Sequence, residues 1–156
     1  MKIELWWIGK TNEKYLGTGI ELYSNRISHY HNFSINEVRD IKSFKSKEDL
    51  KLKESHAFLK SIDSRDFVVL LDENGKCFDS ISFSEILQEF LLMSAYKRII
   101  FIIAGAFGAS NDLKERANML LSLSKMTFSH QLIRVIFLEQ LYRASTILKN
   151  EKYHNP

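Results

Sequence analysis

Three short apolar runs constrain the fold of this chain more than any other feature. They are residues 3–8 (IELWWI), 66–71 (DFVVLL) and 98–104 (RIIFIIA). Runs of this length that are rich in β-branched and aromatic residues are typical of strands, and a continuously apolar run is typical of a strand buried on both faces. The sequence therefore predicts a mainly parallel sheet with helices packed on both of its faces.

Weaker patterns fill the intervals between these runs. Residues 33–38 and 119–124 have the length and composition of further strands, which gives a sheet of five to six strands. Apolar residues at helical spacing separate the strands, and the longest such pattern begins at about Gln131. Strands alternate with helices five times, with no repeat and no linker, so we expect one α/β domain over residues 1–156.

Polar residues predict the ends of several elements. Thr11 or Asn12 is placed to cap the first helix, and Ser82 is placed to cap a third helix that continues through Tyr96. The turn-forming residues 72–75 (DENG) predict the end of the third strand.

Composition excludes several classes of protein. Hydrophobic residues make up 45% and charged residues 26% of the chain, which is the range of ordered globular domains. No apolar run approaches the roughly 20 residues that a membrane span needs. A single cysteine, Cys77, and a start without a signal-peptide cleavage site predict a cytoplasmic location. The motifs G-x-G-x-x-G and G-x-x-x-x-G-K-[ST] are absent, and no His/Cys spacing predicts a metal site.

The net charge of +3 is concentrated at one end of the chain. Residues 1–124 carry 17 Lys and Arg against 17 Asp and Glu, whereas residues 125–156 carry five against two. This excess favours an anionic partner at the C-terminal end, and an ordinary solvated basic tail is the alternative. A group of lysines in residues 45–60 is interpreted as the solvated face of a helix, with contact to nucleic-acid phosphates as the alternative.

The junction between residues 119–124 and the last helix is the strongest candidate for a ligand site. Residues 125–130 (KMTFSH) combine a cation, two hydroxyls, two large apolar side chains and an imidazole. Open α/β sheets bind ligands at the carboxyl ends of their strands, where such a junction lies. The glycine-bearing loop 104–108 (AGAFG) is a second candidate, although plain turn glycines are common.

The last helix is apolar over most of its circumference. The polar positions that interrupt it are Arg134, Glu139, Gln140, Arg143 and Lys149. A helix packed on one sheet needs an apolar stripe only roughly 100° wide. The surplus predicts burial on a second side, most economically against another copy of the chain.

Three segments of the C-terminal third resemble one family of enzymes. FIIAGAFG, LSLSKMTFSHQLIRVIFLEQLYRA and the closing EKYH are similar to segments of the ribosomal large subunit methyltransferase H family. Its members are SPOUT-class enzymes that methylate N3 of a pseudouridine in 23S rRNA with S-adenosylmethionine. The resemblance starts at MKIELWWIGK and implies a C-terminal trefoil knot, a homodimer with shared active sites, and the assembled ribosome as partner.

The resemblance also implies which residues bind the methyl donor. They lie in loops after the third, fourth and fifth strands, and they are Leu71, Ala104, Gly105, Leu123, Ser124, Lys125, Met126, Thr127 and Phe128. The chain departs from the family at two positions, where Ala104 replaces a glycine and Ser129 replaces a proline. The methyl group of Ala104 costs backbone freedom, and it would matter if this position needed a positive φ or lay against the adenosine of the methyl donor. Ser129 is expected to loosen the start of the last helix.

Methylation of N3 requires the loss of a proton, because N3 of a pseudouridine is protonated at neutral pH. The candidate catalytic residues are His130, His154 and Arg143, and the candidate substrate-binding residues are Arg134 and Tyr153. The arginines are expected to hold RNA phosphate or an imide oxygen. The alternatives are a surface salt bridge for Arg134, an i,i+4 pair with Glu139 for Arg143, and a frayed tail for residues 153–154.

Two other functions are weighed against this one. The main alternative is a non-catalytic, ribosome-associated protein that has lost cofactor binding because of Ala104. A generic nucleotide-binding α/β module would bind flavin or NAD, and the missing glycine fingerprints speak against it.

Overall fold

Strands and helices alternate along the whole chain, of which the computed structural model describes residues 1–156. The strands are β1 (Lys2–Ile8), β2 (Asn32–Val38), β3 (Asp66–Cys77), β4 (Arg98–Ile103) and β5 (Met119–Ser122), and the helices are α1 (Lys14–Ile27), α2 (Lys47–Leu59), α3 (Ser80–Leu91), α4 (Asn111–Arg116) and α5 (Leu132–Leu148). The strands form one sheet in the order β2-β1-β4-β3-β5, and every pairing is parallel. The predicted parallel sheet is confirmed, with five strands.

The three central strands bury side chains on both faces of the sheet, as their apolar sequences predict. In β1, Ile3, Leu5 and Trp7 pack into one hydrophobic core, while Trp6 and Ile8 pack into another. The first core also contains side chains of α1, α3 and α5, and the second contains side chains of α2 and α4. Helices therefore cover both faces of the sheet, three on one side and two on the other. None of them has the length and apolarity that a membrane-spanning helix needs.

The third strand does not end at the predicted turn. β3 continues to Cys77, and residues 72–75 form an irregularity within it. Leu121 of β5 pairs with Leu71 before this irregularity and with Lys76 after it. A β-carbon on Gly75 would stand only 2.6 Å from backbone atoms of Leu120 and Leu121. Glycine at position 75 therefore lets the backbones of β3 and β5 approach each other. The turn residues shift the register of the pairing but do not end β3.

Two of the predicted helix ends are wrong. Glu13 occupies the N-cap position of α1, and no side chain caps this helix. At α3 the cap is Asp79, whose carboxylate accepts a hydrogen bond from the Ser82 amide at 2.8 Å, and the helix ends at Leu91. Asp79 is the stronger acceptor because it is ionised, so it takes the position predicted for Ser82.

Much of the surplus apolar surface of α5 is covered within the chain. α5 packs on the sheet between α1 and α3, where Phe137 meets Phe83 with ring centroids 6.4 Å apart. On its other flank Tyr142 meets Tyr23 at 6.0 Å, and Val135 lies against Gly19 of α1. A second copy of the chain is therefore not required to explain the apolar circumference of this helix.

Two glycines of α1 provide a test of the packing between α1 and α5. A β-carbon on Gly17 would meet nothing within 4 Å, whereas one on Gly19 would stand 3.1 Å from Cγ1 of Val135. Gly17→Ala should raise the free energy of unfolding by about 0.5–1 kcal/mol, because alanine loses less backbone entropy in a helix. Gly19→Ala should raise the free energy of unfolding less, or lower it. When it is compared with Val135→Ala alone, the double variant Gly19→Ala/Val135→Ala should recover the gain. Denaturant unfolding of the variants measures the difference, and equal effects of the two single substitutions would contradict this packing.

Candidate active site

Three loops meet at the carboxyl ends of β3, β4 and β5 and enclose a cleft of about 520 Å³. The residues that line it and were predicted to form a site are Leu71, Ala104, Gly105, Leu123, Ser124, Met126, Thr127, Phe128 and His130. Lys125 belongs to the same loop, but it is exposed and does not line the cleft. The structure thus brings together eight of the nine residues that were predicted to bind the methyl donor, with His130 beside them.

The loop after β4 is shaped by its glycines. Gly105 and Gly108 form an antiparallel bridge, and the Gly108 amide donates to the Gly105 carbonyl at 3.0 Å. Gly108 has a φ of +83°, which is a conformation that favours glycine. Ala104 is not among the residues with positive φ. The replacement of the family glycine by Ala104 therefore carries no such backbone cost.

Hydroxyl groups order the loop after β5. The Ser122 hydroxyl donates to the Ser124 carbonyl at 2.9 Å, and the Met126 amide donates to the Ser124 hydroxyl at 3.0 Å. Ser129 accepts a hydrogen bond from the amide of Leu132, the first residue of α5, at 3.1 Å. The expectation that Ser129 loosens the start of the helix is therefore wrong, because its hydroxyl satisfies a free helix amide.

Several residues of the cleft were not predicted as site residues. Asp72 and Glu73 line it from the irregular part of β3, and Lys114 of α4 pairs with Asp72 at 3.6 Å. Lys51 of α2 and Phe107 complete the opposite wall. The turn signal of residues 72–75 indicated a loop at the carboxyl end of a strand, and this could have identified the acidic pair.

A buried carboxylate lies beside the cleft. Glu54 of α2 is 6% exposed, and a β-carbon at Gly105 would collide with its carboxylate. No hydrogen-bond donor or cation contacts this carboxylate. Burial raises the pKa of Glu54, and the nearby charge of Asp40 raises it further. Glycine at position 105 thus makes room for a carboxylate that the protein leaves unpaired.

His130 lies at the cleft, just before α5. Burial lowers the pKa of its imidazole, the neighbouring Arg134 lowers it further, and Asp40 opposes the shift. A lowered pKa favours the neutral imidazole at pH 7, and a neutral imidazole can accept a proton.

Arg134 is inside the protein. It is 1% exposed, and its guanidinium donates to the Ile8 carbonyl at 2.7 Å, to the Gly9 carbonyl at 3.2 Å and to the Thr11 hydroxyl at 2.9 Å. It also lies 4.8 Å from the Trp7 ring centroid, and burial lowers its pKa to about 10. Arg134 therefore fastens α5 to the loop between β1 and α1. This position matches neither the predicted contact with RNA nor a surface salt bridge.

The other predicted residues form a cluster between α5 and the C-terminal tail, which is residues 149–156. Arg143 pairs with Glu139 and donates to Nδ1 of His154 at 3.2 Å. The Arg143 guanidinium lies 4.8 Å from the Tyr153 ring centroid, and the Tyr153 hydroxyl donates to Glu139 at 3.1 Å. Burial raises the pKa of Tyr153, as do the neighbouring Tyr23 hydroxyl and the Glu139 carboxylate. The tail is packed against α5 and is not frayed, and Glu139 is a member that was expected only as an alternative partner of Arg143.

Within one chain, the tail cluster and the cleft are separate. Leu132 begins α5 beside the cleft, and Arg143 lies eleven residues further on. At 1.5 Å per residue this is about 16 Å along the helix axis. The chain therefore does not place His154 and Arg143 at its own cleft. No three His, Cys, Asp or Glu side chains form a metal-binding group.

Comparisons with known proteins agree with this arrangement. One family, described as "Predicted SPOUT methyltransferase", matches residues 1–154. Proteins named "Ribosomal RNA large subunit methyltransferase H" from Christiangramia forsetii and Parabacteroides distasonis are 49% and 46% identical over 99% of both chains. A solved structure of a probable methylase family protein from Haemophilus influenzae has the same fold, with a TM-score of 0.53 and 13% identity over 99% of this chain and 70% of that one.

A parallel sheet with its cleft in three loops after β3, β4 and β5, together with these matches, defines a SPOUT-class methyltransferase. Within that class, the chain belongs to the ribosomal RNA large subunit methyltransferase H family.

The unpaired carboxylate of Glu54 predicts a pH-dependent stability. Its pKa is raised above the ordinary value of 4.5, so the folded protein binds more protons than the unfolded chain, and the contribution of Glu54 to stability falls as pH rises above about 4.5. Glu54→Gln should match the wild type near pH 4 and be more stable by about 1–3 kcal/mol at pH 8. Urea unfolding across this pH range measures the difference.

Glu48→Gln is the matched control, because Glu48 lies on the same helix with its side chain 69% exposed. It should show only a small and nearly pH-independent change. A Glu54→Gln variant that loses stability at pH 8 would show that the carboxylate has a partner in solution.

Proposed function

We propose that this chain methylates N3 of a pseudouridine in 23S rRNA and uses S-adenosylmethionine as the methyl donor. The observation that carries the proposal is the cleft after β3, β4 and β5, which is built from residues at the positions where the resemblance implies methyl-donor binding. The names of the relatives support an activity on rRNA of the large subunit.

The residues of the cleft fit S-adenosylmethionine. A cleft of about 520 Å³ lies in the range of small-molecule sites, and roughly half of its lining residues are apolar. Leu71, Leu123 and Phe128 offer apolar contacts for a purine, and the Thr127 hydroxyl and neighbouring backbone groups offer hydrogen bonds. When bound, the donor supplies an activated methyl group on a sulfonium. The protein must then orient N3 of the substrate, exclude water and accept a proton.

Proton acceptance has two candidates in different places. His130 lies at the cleft of its own chain, and its lowered pKa keeps the imidazole neutral at pH 7, the form that can accept a proton. His154 and Arg143 lie about 16 Å away along α5, so in our proposal they serve the cleft of a second copy in a homodimer with shared active sites. Tyr153 is proposed to contact the substrate base beside them. Arg134 is proposed to support the site from within, by holding the loop after β1.

We also propose that the C-terminal region forms a trefoil knot. The proposal is supported by the register shift between Leu71 and Lys76 in the pairing of β3 with β5, where a β-carbon on Gly75 would find no space. The proposed substrate places the protein in the cytoplasm with the assembled ribosome. The alternative of a non-catalytic protein is not favoured, because Ala104 needs no positive φ and the cleft is present.

Two measurements test the activity itself. Mass spectrometry of 23S rRNA from a strain that lacks this gene should show loss of the N3-methylpseudouridine and accumulation of the unmethylated base. Isothermal titration of the protein with S-adenosylmethionine should show saturable binding. Persistence of the methylated base would refute the substrate, and failure to bind the donor near millimolar concentration would refute the enzyme.

His154→Ala tests the role of the tail. It should lower methyl transfer by roughly tenfold or more while leaving donor affinity unchanged, because the proposal assigns His154 to the proton of the substrate and not to the methyl donor. Equal loss of both properties would show that the tail is structural.

A mixing experiment tests whether two subunits share a site. Ala104→Trp should fill the cleft and abolish donor binding, because Ala104 lines it without backbone strain. Mixing this inactive variant with His154→Ala should restore about a quarter of the wild-type activity, since half of the dimers are mixed and each mixed dimer keeps one complete site. No recovery, with mixed dimers shown by native mass spectrometry, would place the tail and the cleft of one active site in the same chain.

A further inference from the structure

The start of α2 and the loop before it carry a local excess of positive charge. Residues 39–60 contain seven Lys and Arg against four Asp and Glu, and one of the four acids, Glu54, is buried. By contrast, residues 1–38 are balanced, and residues 61–124 contain six basic against nine acidic residues. The neutral sum of residues 1–124 therefore conceals a basic segment.

This segment adjoins the mouth of the cleft. Lys51 lines the cleft, and the Lys47 ammonium lies 5.2 Å from the ring centroid of Phe107, which also lines it. Phe107 is 44% exposed, and Phe44, three residues before Lys47, is 46% exposed. We call Phe44, Lys45, Lys47, Lys51 and Phe107 the α2 basic surface.

Not all lysines of the segment are engaged by acids. Lys51 pairs with Glu48 at 3.0 Å, and Lys53 pairs with Asp49 at 3.2 Å. Lys45 and Lys47 have no carboxylate partner, and Lys45 uses only its backbone amide to contact Asp49. Two ammonium groups of this surface thus have no carboxylate partner, and one of them, that of Lys47, lies beside the Phe107 ring that lines the cleft.

We propose that the α2 basic surface docks the single-stranded segment of 23S rRNA that flanks the target base. The inference rests on the proposed function, because it assumes that this RNA enters the cleft. Phosphates require cations that are not already paired, and unpaired bases stack on exposed aromatic rings. A merely solvated lysine face would satisfy the charge pattern, but it would not account for the exposed Phe107 ring at the cleft with the Lys47 ammonium beside it.

The chain provides a matched pair of double variants. Lys45→Ala with Lys47→Ala, the cleft pair, removes two charges from the α2 basic surface. Lys60→Ala with Arg65→Ala removes two charges beyond the far end of the same helix, about 20 Å from Lys47 along its axis. Lys60 and Arg65 are exposed, and the first pair preserves the backbone contact of Lys45.

The assay is methylation of large ribosomal subunits purified from a strain that lacks this gene, at several salt concentrations. The cleft pair should raise KM for the subunits by roughly fivefold or more and lower the salt slope of log kcat/KM by roughly 1.4, at about 0.7 for each phosphate that a lysine no longer neutralises. The rate at saturating subunits and the affinity for S-adenosylmethionine should stay at the wild-type values. The control pair should leave KM and the slope unchanged.

The nature of the partner is tested separately with a photo-crosslinking phenylalanine analogue at position 44. Crosslinks to 23S rRNA support the proposal, and crosslinks only to ribosomal proteins overturn it. Equal KM and salt slopes for the two double variants also overturn it, while the proposed function stands. If the wild type itself does not methylate these subunits, the proposed function fails, and this inference fails with it.

Discussion

The candidate site depends on the close pairing of β3 with β5. Parallel pairing of β4 with β3, and of β3 with β5, brings the carboxyl ends of three strands to one place. Gly75 contacts the backbone of Leu120 and Leu121 where the pairing shifts register. The irregular segment 72–75 adds Asp72 and Glu73 to the wall of the cleft.

The sequence predicts those parts of the fold that depend on local chemistry. Apolar runs identify the central strands, because a strand buried on both faces has no polar positions to offer. Competition between neighbours decides the ends of elements, as when Asp79 caps α3 in place of Ser82. Arg134 shows a further limit, since helical spacing does not reveal that the loop after β1 lies above it. The residue pattern identified the loops 104–108 and 125–130 as ligand-site candidates, but their assignment with Leu71 to one site came from the family resemblance, because strand order cannot be derived from periodicity.

Ionisable groups near the cleft lack partners, whereas those in the tail cluster are paired with one another. Around the cleft, the carboxylate of Glu54 is buried without a partner, and the imidazole of His130 is held toward its neutral form. On the tail, Glu139, Arg143, Tyr153 and His154 satisfy one another in a connected network. A network of paired groups fixes side-chain positions, whereas unpaired groups retain the capacity to bind a proton or a ligand. The tail network thus holds Arg143 and His154 in fixed positions, whereas Glu54 and His130 stay free to bind a proton.

The contact between Gly75 and β5 also has a consequence for the time course of folding. The two segments are about 45 residues apart in sequence, and neither reaches its native pairing without the other. Contacts of such long sequence separation cost chain entropy before they return any stabilisation, and they slow folding. Nascent chains that have not yet placed β5 expose the apolar edge of β3, where strands of other chains can pair. The pairing of β3 with β5 that shapes the cleft is therefore expected to form slowly, and the chain is prone to aggregate until it has formed.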